Sequence, residues 1–167
     1  MRIFYLQTGI IAAIKFIVDK TDEIPMQIEQ NVASNANFIR SYGEGHIIVV
    51  SPLVEPVHDE NQSRPRNHDV HTIEENVIIS RSGLHRKDLP ESPASLDQSH
   101  ISLLQQLKPE LVILGTGKDI RFPDQHITME LWKNGIGIEV MNTSAACRTF
   151  NYLIADGRNV VAAIFMI

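Results

Sequence analysis

The chain has 167 residues, 43% of them hydrophobic, with 15 Lys and Arg against 20 Asp and Glu. This length and composition are typical of one globular domain that buries its core without disulfides or metals. The net charge of −5 and the lack of a basic run in the sequence argue against nucleic-acid binding. The single cysteine, Cys147, cannot form an intramolecular disulfide.

Residues 1–35 differ in pattern from the rest, and we expect a marginally ordered N-terminal extension. Apolar residues recur there at the spacing of one helix face: Ile3, Leu6, Ile10, Ile14 and Ile17. The run is too short to span a bilayer, and no cleavage site of a secretory signal follows it. A surface helix, peripheral membrane contact and an alternative translation start at Met26 all stay open.

Residues 36–167 have the pattern of a single α/β domain. Short strands at 38–42 and 46–50 flank a glycine-rich turn and predict a β-hairpin. Residues 51–71 hold three prolines among polar residues and predict a long exposed loop.

Strand and helix patterns alternate over the rest of the chain. An unbroken apolar run at 110–115 predicts a strand that is covered on both faces. The other predicted elements are a strand at 72–80, a helix at 96–107 capped by Ser95, a helix at 127–134, a strand at 136–141, a helix at 143–156 closed by Gly157 and a strand at 159–166.

The first candidate site is Gly115-Thr116-Gly117, where the strand at 110–115 ends. Glycines allow close approach of a ligand or of another backbone, and open α/β sheets bind ligands beyond the carboxyl ends of their strands. The pattern lacks the third glycine of a dinucleotide fingerprint and the Gly-Lys-Ser/Thr of a Walker loop. A ligand-binding turn and a plain strand-to-loop turn are both compatible with it.

The second candidate site is the start of the helix at 143–156, where free backbone N–H groups favour an anion. If the strands at 110–115 and 136–141 are parallel neighbours, this helix start and the Gly115 turn share one sheet edge and form a shallow pocket. Two helix faces carry the candidate residues of this pocket: Ser144 and Arg148 on one, Thr143, Cys147 and Asn151 on the other.

Structural roles compete with these chemical ones. Arg148 suits a carboxylate or phosphate ligand, or an ion pair with Glu139 or Asp156. Cys147 is a nucleophile only if its thiol pKa is lowered, and a buried inert thiol is the alternative. For Asn151, the alternative to ligand binding is a hydrogen bond to neighbouring backbone.

Histidines in polar segments are a third group: His58, His68, His71 and His85. They lack a second pair of ligands at zinc-like spacing, so we predict solvated side chains and no metal site.

Four segments together carry a family resemblance: LVILGTG at 111–117, RFP at 121–123, GIGIEVM at 135–141 and TSAACRTFNYL at 143–153. In this order they resemble the small proteins related to mitochondrial complex I assembly factor 3, over about residues 36–166. The resemblance implies a three-layer α/β fold with a central mixed sheet. It also adds Arg121 to the candidate pocket. The chain departs from the family pattern at 1–25 and around 51–70.

Two functions of different class follow from these observations. The preferred one is a non-catalytic binding or assembly protein, without a cofactor, whose partners are subunits of a respiratory complex. The alternative is a protein or enzyme that binds a small anionic ligand, with Arg148 at a helix start and Cys147 or Thr116 assisting. The resemblance implies a cytoplasmic location in a bacterium and a mitochondrial one in a eukaryote.

Overall fold

The computed structural model of the protein describes residues 35–57 and 66–167. The predictions made for residues 1–34 and for His58 lie outside these ranges.

The described residues form eight strands, three α-helices and one 3-10 turn. In chain order they are β1 (Phe38–Gly43), β2 (His46–Val57), β3 (Arg66–Ile73), β4 (Val77–Ile79), β5 (Leu84–Arg86), the turn Pro93–Ser95, α1 (Gln98–Gln106), β6 (Leu111–Thr116), α2 (Gln125–Lys133), β7 (Gly137–Met141), α3 (Thr143–Ala155) and β8 (Val160–Phe165).

The strands build two sheets. The small sheet has the order β1-β2-β3 and is antiparallel, whereas the main sheet has the order β5-β4-β8-β6-β7. In the main sheet β8, β6 and β7 are parallel, while β4 runs antiparallel to both of its neighbours. The parallel pairing of β6 with β7 confirms the arrangement predicted for these two strands.

Two hydrophobic cores, one on each face of the main sheet, hold the three layers of the fold together. Helices α1 and α2 pack on one face, and α3 with the small sheet packs on the other. The predicted three-layer α/β fold with a central mixed sheet and an N-terminal β-hairpin is therefore confirmed.

Strand β8 occupies the middle of the main sheet and is buried on both sides. Val161, Ala163 and Phe165 face α1 and α2, while the alternate residues of the strand face α3. Full burial of a Val, Ile or Phe side chain contributes about 1.5–3 kcal/mol. Because its side chains point alternately to the two faces of the sheet, β8 contributes to both hydrophobic cores.

The predicted loop at 51–71 is wrong, because β2 continues through Val57 and β3 begins at Arg66. Strand β1 pairs with β2 only as far as Val50, so β3 is the one described strand that neighbours β2 beyond that point. Pro52 is compatible with this position because no described strand pairs with that side of β2 and needs the missing N–H. The polar, proline-containing stretch is therefore strand on both sides of residues 58–65.

Two smaller predictions are also corrected. The strand predicted at 72–80 is two strands, since β3 ends at Ile73 and β4 begins at Val77. Helix α1 is capped by Asp97 and not by Ser95: the Asp97 carboxylate accepts the N–H groups of Ser99 and His100. Ser95 ends the preceding 3-10 turn.

Asn151 of α3 holds the small sheet against the helix. Its side-chain oxygen accepts the N–H of Ile39 at 2.9 Å, and its side-chain nitrogen donates to the carbonyl of Ile39 at 2.7 Å. The amide thus completes the free edge of β1 in the way that a neighbouring strand would. The predicted backbone bonding of Asn151 is confirmed, and the partner is 112 residues away in sequence.

Asn151→Ala is expected to destabilise the fold by roughly 2–4 kcal/mol, because it leaves a buried N–H and a buried C=O of Ile39 unpaired. Urea denaturation followed by circular dichroism measures the change. Asn159→Ala is the control, since the Asn159 amide makes one exposed bond, to the Lys108 carbonyl. Equal losses of stability in the two variants would contradict the role of Asn151.

Candidate functional site

The turn after β6 and the start of α3 meet at Thr143, as predicted from the parallel strands. The Thr143 hydroxyl accepts the N–H of Gly117 at 2.9 Å and donates to the carbonyl of Phe165 at 2.5 Å. The Thr143 N–H donates to the Gly117 carbonyl at 2.9 Å. One fully buried side chain therefore joins the ends of β6 and β8 to α3.

Gly115 allows the helix to approach the strand closely. A Cβ atom at Gly115 would lie 2.8 Å from the Cβ of Ala146 and 3.2 Å from the Cα of Thr143. Gly117 has a φ of +91°, in the left-handed region that favours glycine. Of the two interpretations of these glycines, close approach of another part of the backbone is the one that the geometry shows.

Thr116 fixes the shape of the loop that follows β6. Its buried hydroxyl donates to the carbonyl of Asp119 at 2.8 Å and accepts the N–H of Arg121 at 3.0 Å. The carbonyl of Met141 lies 3.2 Å from the same hydroxyl. Arg121 reaches the junction through its backbone, and its side chain is exposed.

Cys147 lies in the core between α3 and the main sheet and has no exposed surface. Desolvation raises the pKa of its thiol to about 12, and the charge of Arg148 acts in the opposite direction. Because the thiolate is the nucleophile, this environment has the properties of the inert alternative and not of a reactive thiol.

Arg148 and Ser144 belong to the outer face of α3. The guanidinium of Arg148 donates to the hydroxyl of Tyr42 at 2.7 Å and is exposed. Within the described ranges no carboxylate lies within 4.0 Å of this guanidinium, so the proposed ion pair with Glu139 or Asp156 does not form.

The candidate residues therefore divide into an internal and an external group. The internal group supports the helix–strand junction and the small sheet: Gly115, Thr116, Gly117, Thr143, Cys147 and Asn151. The external group is exposed or half-buried: Arg121, Ser144 and Arg148. Ligand binding by any of them stays a prediction.

Two depressions of the described surface lie elsewhere. One, of about 360 Å³, is lined by residues 87–90 and by the first turn of α1, and the other, of about 420 Å³, by residues 74–76, 89–91 and Met166 among others. Both are open and neither contains a residue of the candidate pocket.

The sequence analysis did not predict which aromatic residues are exposed. Phe122, Trp132 and Tyr152 are 78%, 62% and 72% exposed. The signal was present for Trp132, because Ile127 and Leu131 define the core face of α2 and Trp132 falls outside it.

The described residues contain neither a metal-binding cluster nor a membrane-spanning helix. In the part of the chain that the structure describes, no three His, Cys, Asp or Glu side chains converge on a point that could hold a metal ion. In that same part, no helix has the length and apolar character needed to cross a bilayer.

The fold defines a three-layer α/β protein in which the start of α3 packs against the end of β6. Residues 39–165 match the family model described as a protein of unknown function, DUF498/DUF598. The chain belongs to this family.

Three comparisons illustrate the relationship. The chain is 31% identical over 88 residues to the "13 kDa major membrane protein" of Francisella tularensis, which covers 53% of this chain and 72% of that protein. It is 35% identical over 66 residues to NADH dehydrogenase (ubiquinone) 1 alpha subcomplex assembly factor 3 of Xenopus tropicalis, which covers 38% of this chain and only 36% of that protein. A crystal structure of a Bordetella parapertussis protein aligns with a TM-score of 0.60 at 29% identity, over 81% of this chain and 99% of that one.

Gly115→Ala is expected to destabilise the protein by about 1–3 kcal/mol, because the added methyl group overpacks the contact with Ala146. Gly137→Ala is the matched control in the adjacent strand, since its Cβ would meet the flexible end of Leu111 at 3.1 Å. Thermal denaturation of both variants provides the measurement. A Gly115→Ala variant as stable as the wild type would show that the close approach is not required.

Cys147 is expected to resist alkylation in the folded protein. The thiol of an unfolded chain has a pKa of about 8.5, so it ionises at a pH where the folded thiol stays protonated. Iodoacetamide labelling with and without urea tests this expectation, and rapid labelling of the folded protein near neutral pH would contradict it.

Because the pKa of the folded thiol is raised, the free energy of unfolding is expected to fall as the pH increases above about 8.5. This fall should be absent in Cys147→Ala.

Proposed function

We propose that this protein is a non-catalytic binding protein that assists the assembly of respiratory complex I. The observation that carries the proposal is the division of the candidate residues. The two residues proposed to assist catalysis, Cys147 and Thr116, are buried and support the fold, whereas Arg148 is exposed at the surface.

The surface around Arg148 has the composition of a protein-binding site. Tyr152 lies one helical turn from Arg148 and is 72% exposed, and the Tyr42 hydroxyl accepts a hydrogen bond from the guanidinium. Tyr and Arg are enriched among the residues that dominate protein–protein affinity. We name Tyr42, Arg148 and Tyr152 the α3 surface.

The bond to Tyr42 lowers the cost of binding at this surface. It restrains a long side chain before a partner arrives, so less conformational entropy is lost on association. The guanidinium has five N–H donors in a planar fork, and those that Tyr42 does not use can bind a carboxylate of the partner. An acidic side chain of a complex I subunit therefore suits the α3 surface.

The names of relatives support the biological setting. Several animal relatives are named as assembly factors of NADH dehydrogenase, and they match this chain at 31–36% identity over 66–75 residues. We propose a cytoplasmic location if the host is a bacterium and a mitochondrial one if it is a eukaryote.

The alternative function, a small-anion site or an enzyme built on Arg148 and Cys147, has weaker support. Arg148 extends towards Tyr42, whereas the Gly115 turn is occupied by Thr143 and Ala146. A buried thiol whose pKa is raised to about 12 supplies no nucleophile near neutral pH.

Affinity capture of the full chain from its own host tests the proposal. Complex I subunits are expected to be recovered with the wild type, and Arg148→Ala is expected to lower their recovery about tenfold, because a central arginine contact contributes about 1–2 kcal/mol or more. Quantitative mass spectrometry of the captured proteins, with host cells lacking those subunits as background, provides the measurement.

Lys133→Ala is the matched control, because Lys133 is an exposed cation of α2 on the opposite face of the main sheet. Its recovery of subunits is expected to equal that of the wild type. Capture that returns no complex I subunit would overturn the proposed function. Equal recovery with Arg148→Ala would exclude the α3 surface as the binding site.

A further inference from the structure

The connection between α2 and β7 contains a chemically labile pair of residues, Asn134 and Gly135. In the whole sequence, Asn134 is the only asparagine that is followed by glycine. The carboxamide carbon of an asparagine can be attacked by the backbone nitrogen of the next residue. A glycine leaves this nitrogen unhindered because it has no Cβ atom. Both residues are exposed, so water reaches the pair.

The fold gives both residues of this pair a structural role. Asn134 caps the C-terminus of α2, and its side-chain nitrogen donates to the carbonyl of Glu130 at 2.8 Å. Gly135 has a φ of +73°, in the left-handed region where a residue with a side chain is strained. The labile pair is therefore part of the way in which this helix ends.

Two backbone hydrogen bonds hold the attacking nitrogen in place. The N–H of Gly135 donates to the carbonyl of Trp132 at 2.9 Å, and the N–H of Ile136 donates to the carbonyl of Leu131 at 3.0 Å. These two bonds form a Schellman motif, and Leu131 and Ile136 are buried in the same core. The Gly135 nitrogen must break its bond to Trp132 before it can turn towards the carboxamide and lose its proton.

We propose that Asn134 is a site of spontaneous deamidation, and that opening of the last turn of α2 controls the rate of this reaction in the folded protein. In the open turn, the Gly135 nitrogen forms a bond to the carboxamide carbon of Asn134. The proton of that nitrogen ends on the leaving NH2 group, which departs as ammonia. The resulting cyclic imide then adds one water molecule and opens to aspartate or to isoaspartate. This inference does not rest on the proposed function.

Both products change the end of α2. A carboxylate at position 134 cannot donate to the carbonyl of Glu130, and its negative charge is unfavourable at the C-terminus of a helix. Isoaspartate also adds one carbon to the main chain, which displaces the N–H groups of Gly135 and Ile136 from their acceptors. The modified chain is therefore expected to open this turn more readily than the unmodified chain.

Helix α3 ends in the same motif and provides an internal comparison. The N–H of Gly157 donates to the carbonyl of Ile154 at 3.1 Å, and the N–H of Arg158 donates to the carbonyl of Leu153 at 3.0 Å. Asp156 is the cap of this helix, so Asp156→Asn creates a second Asn-Gly pair in matched geometry.

The two helices differ in how strongly the core holds them. Helix α3 has 13 residues, of which six are buried, whereas α2 has nine residues, of which two are buried. Segments with few buried contacts open more easily than the core of a domain. In the folded Asp156→Asn variant, Asn134 is therefore expected to react faster than the new site in α3, while the two sites are expected to react at equal rates in urea.

Peptide mapping of the full chain by mass spectrometry measures the reaction after incubation at mildly alkaline pH. Replacement of NH2 by OH changes the mass of the peptide, and isoaspartate changes its retention time. Deamidation of Asn134 is expected to be at least about tenfold slower in the folded protein than in urea, because the closed turn holds the nitrogen.

Ile136→Val is expected to accelerate deamidation in the folded protein by about twofold to tenfold, since it weakens the packing that closes the turn. Ile101→Val is the matched control, because it removes the same methyl group from the same core but belongs to α1. It is expected to leave the rate unchanged. Circular dichroism verifies that both variants are folded.

Four results would overturn the proposal. The first is an equal rate of deamidation at Asn134 in the folded protein and in urea. The second is a chain in which another asparagine reacts before Asn134 in urea. The third is equal acceleration by Ile136→Val and Ile101→Val, which would assign the reaction to global unfolding. The fourth is a reaction at the Asp156→Asn site as fast as that at Asn134 in the folded variant.

Discussion

The close contact between α3 and β6 is the constraint on which the rest of the structure depends. Gly115 has no side chain, so the helix lies near enough for one hydroxyl, that of Thr143, to bond both Gly117 and Phe165. This contact sets the position of α3 on the sheet. The position of α3 in turn places Asn151 against Ile39 and so fixes the small sheet.

The C-terminal half was predictable from local pattern because its central strands are apolar throughout and its helices end at recognisable residues. Uninterrupted apolar runs correspond to β6 and β8, and glycines at positive φ end α2 and α3 at Gly135 and Gly157. The role of Thr116 was not predictable. It depends on three backbone groups that only the folded loop and the neighbouring β7 bring together.

The contact between the turn after β6 and the start of α3 was predicted correctly, but the roles of the residues there could be assigned only from the structure. A sequence shows that Cys147 and Arg148 are neighbours, yet it does not show that one faces the core and the other faces Tyr42. The error at 51–71 has a different origin. Proline and polar residues argue against a strand only if that strand lies in the middle of a sheet. Beyond Val50, β2 has a described strand on one side only, so these residues are compatible with it.

That stretch of β2, with a described strand on one side only, bears on how the sheet could pair with another chain. A strand with an open edge is a template for pairing with another chain, and such pairing can propagate into aggregates. Pro52 stands in this stretch and Pro56 follows in the same strand, and each removes a donor that an incoming strand would need. The two prolines therefore leave this side of β2 with fewer N–H donors for the pairing of a further strand.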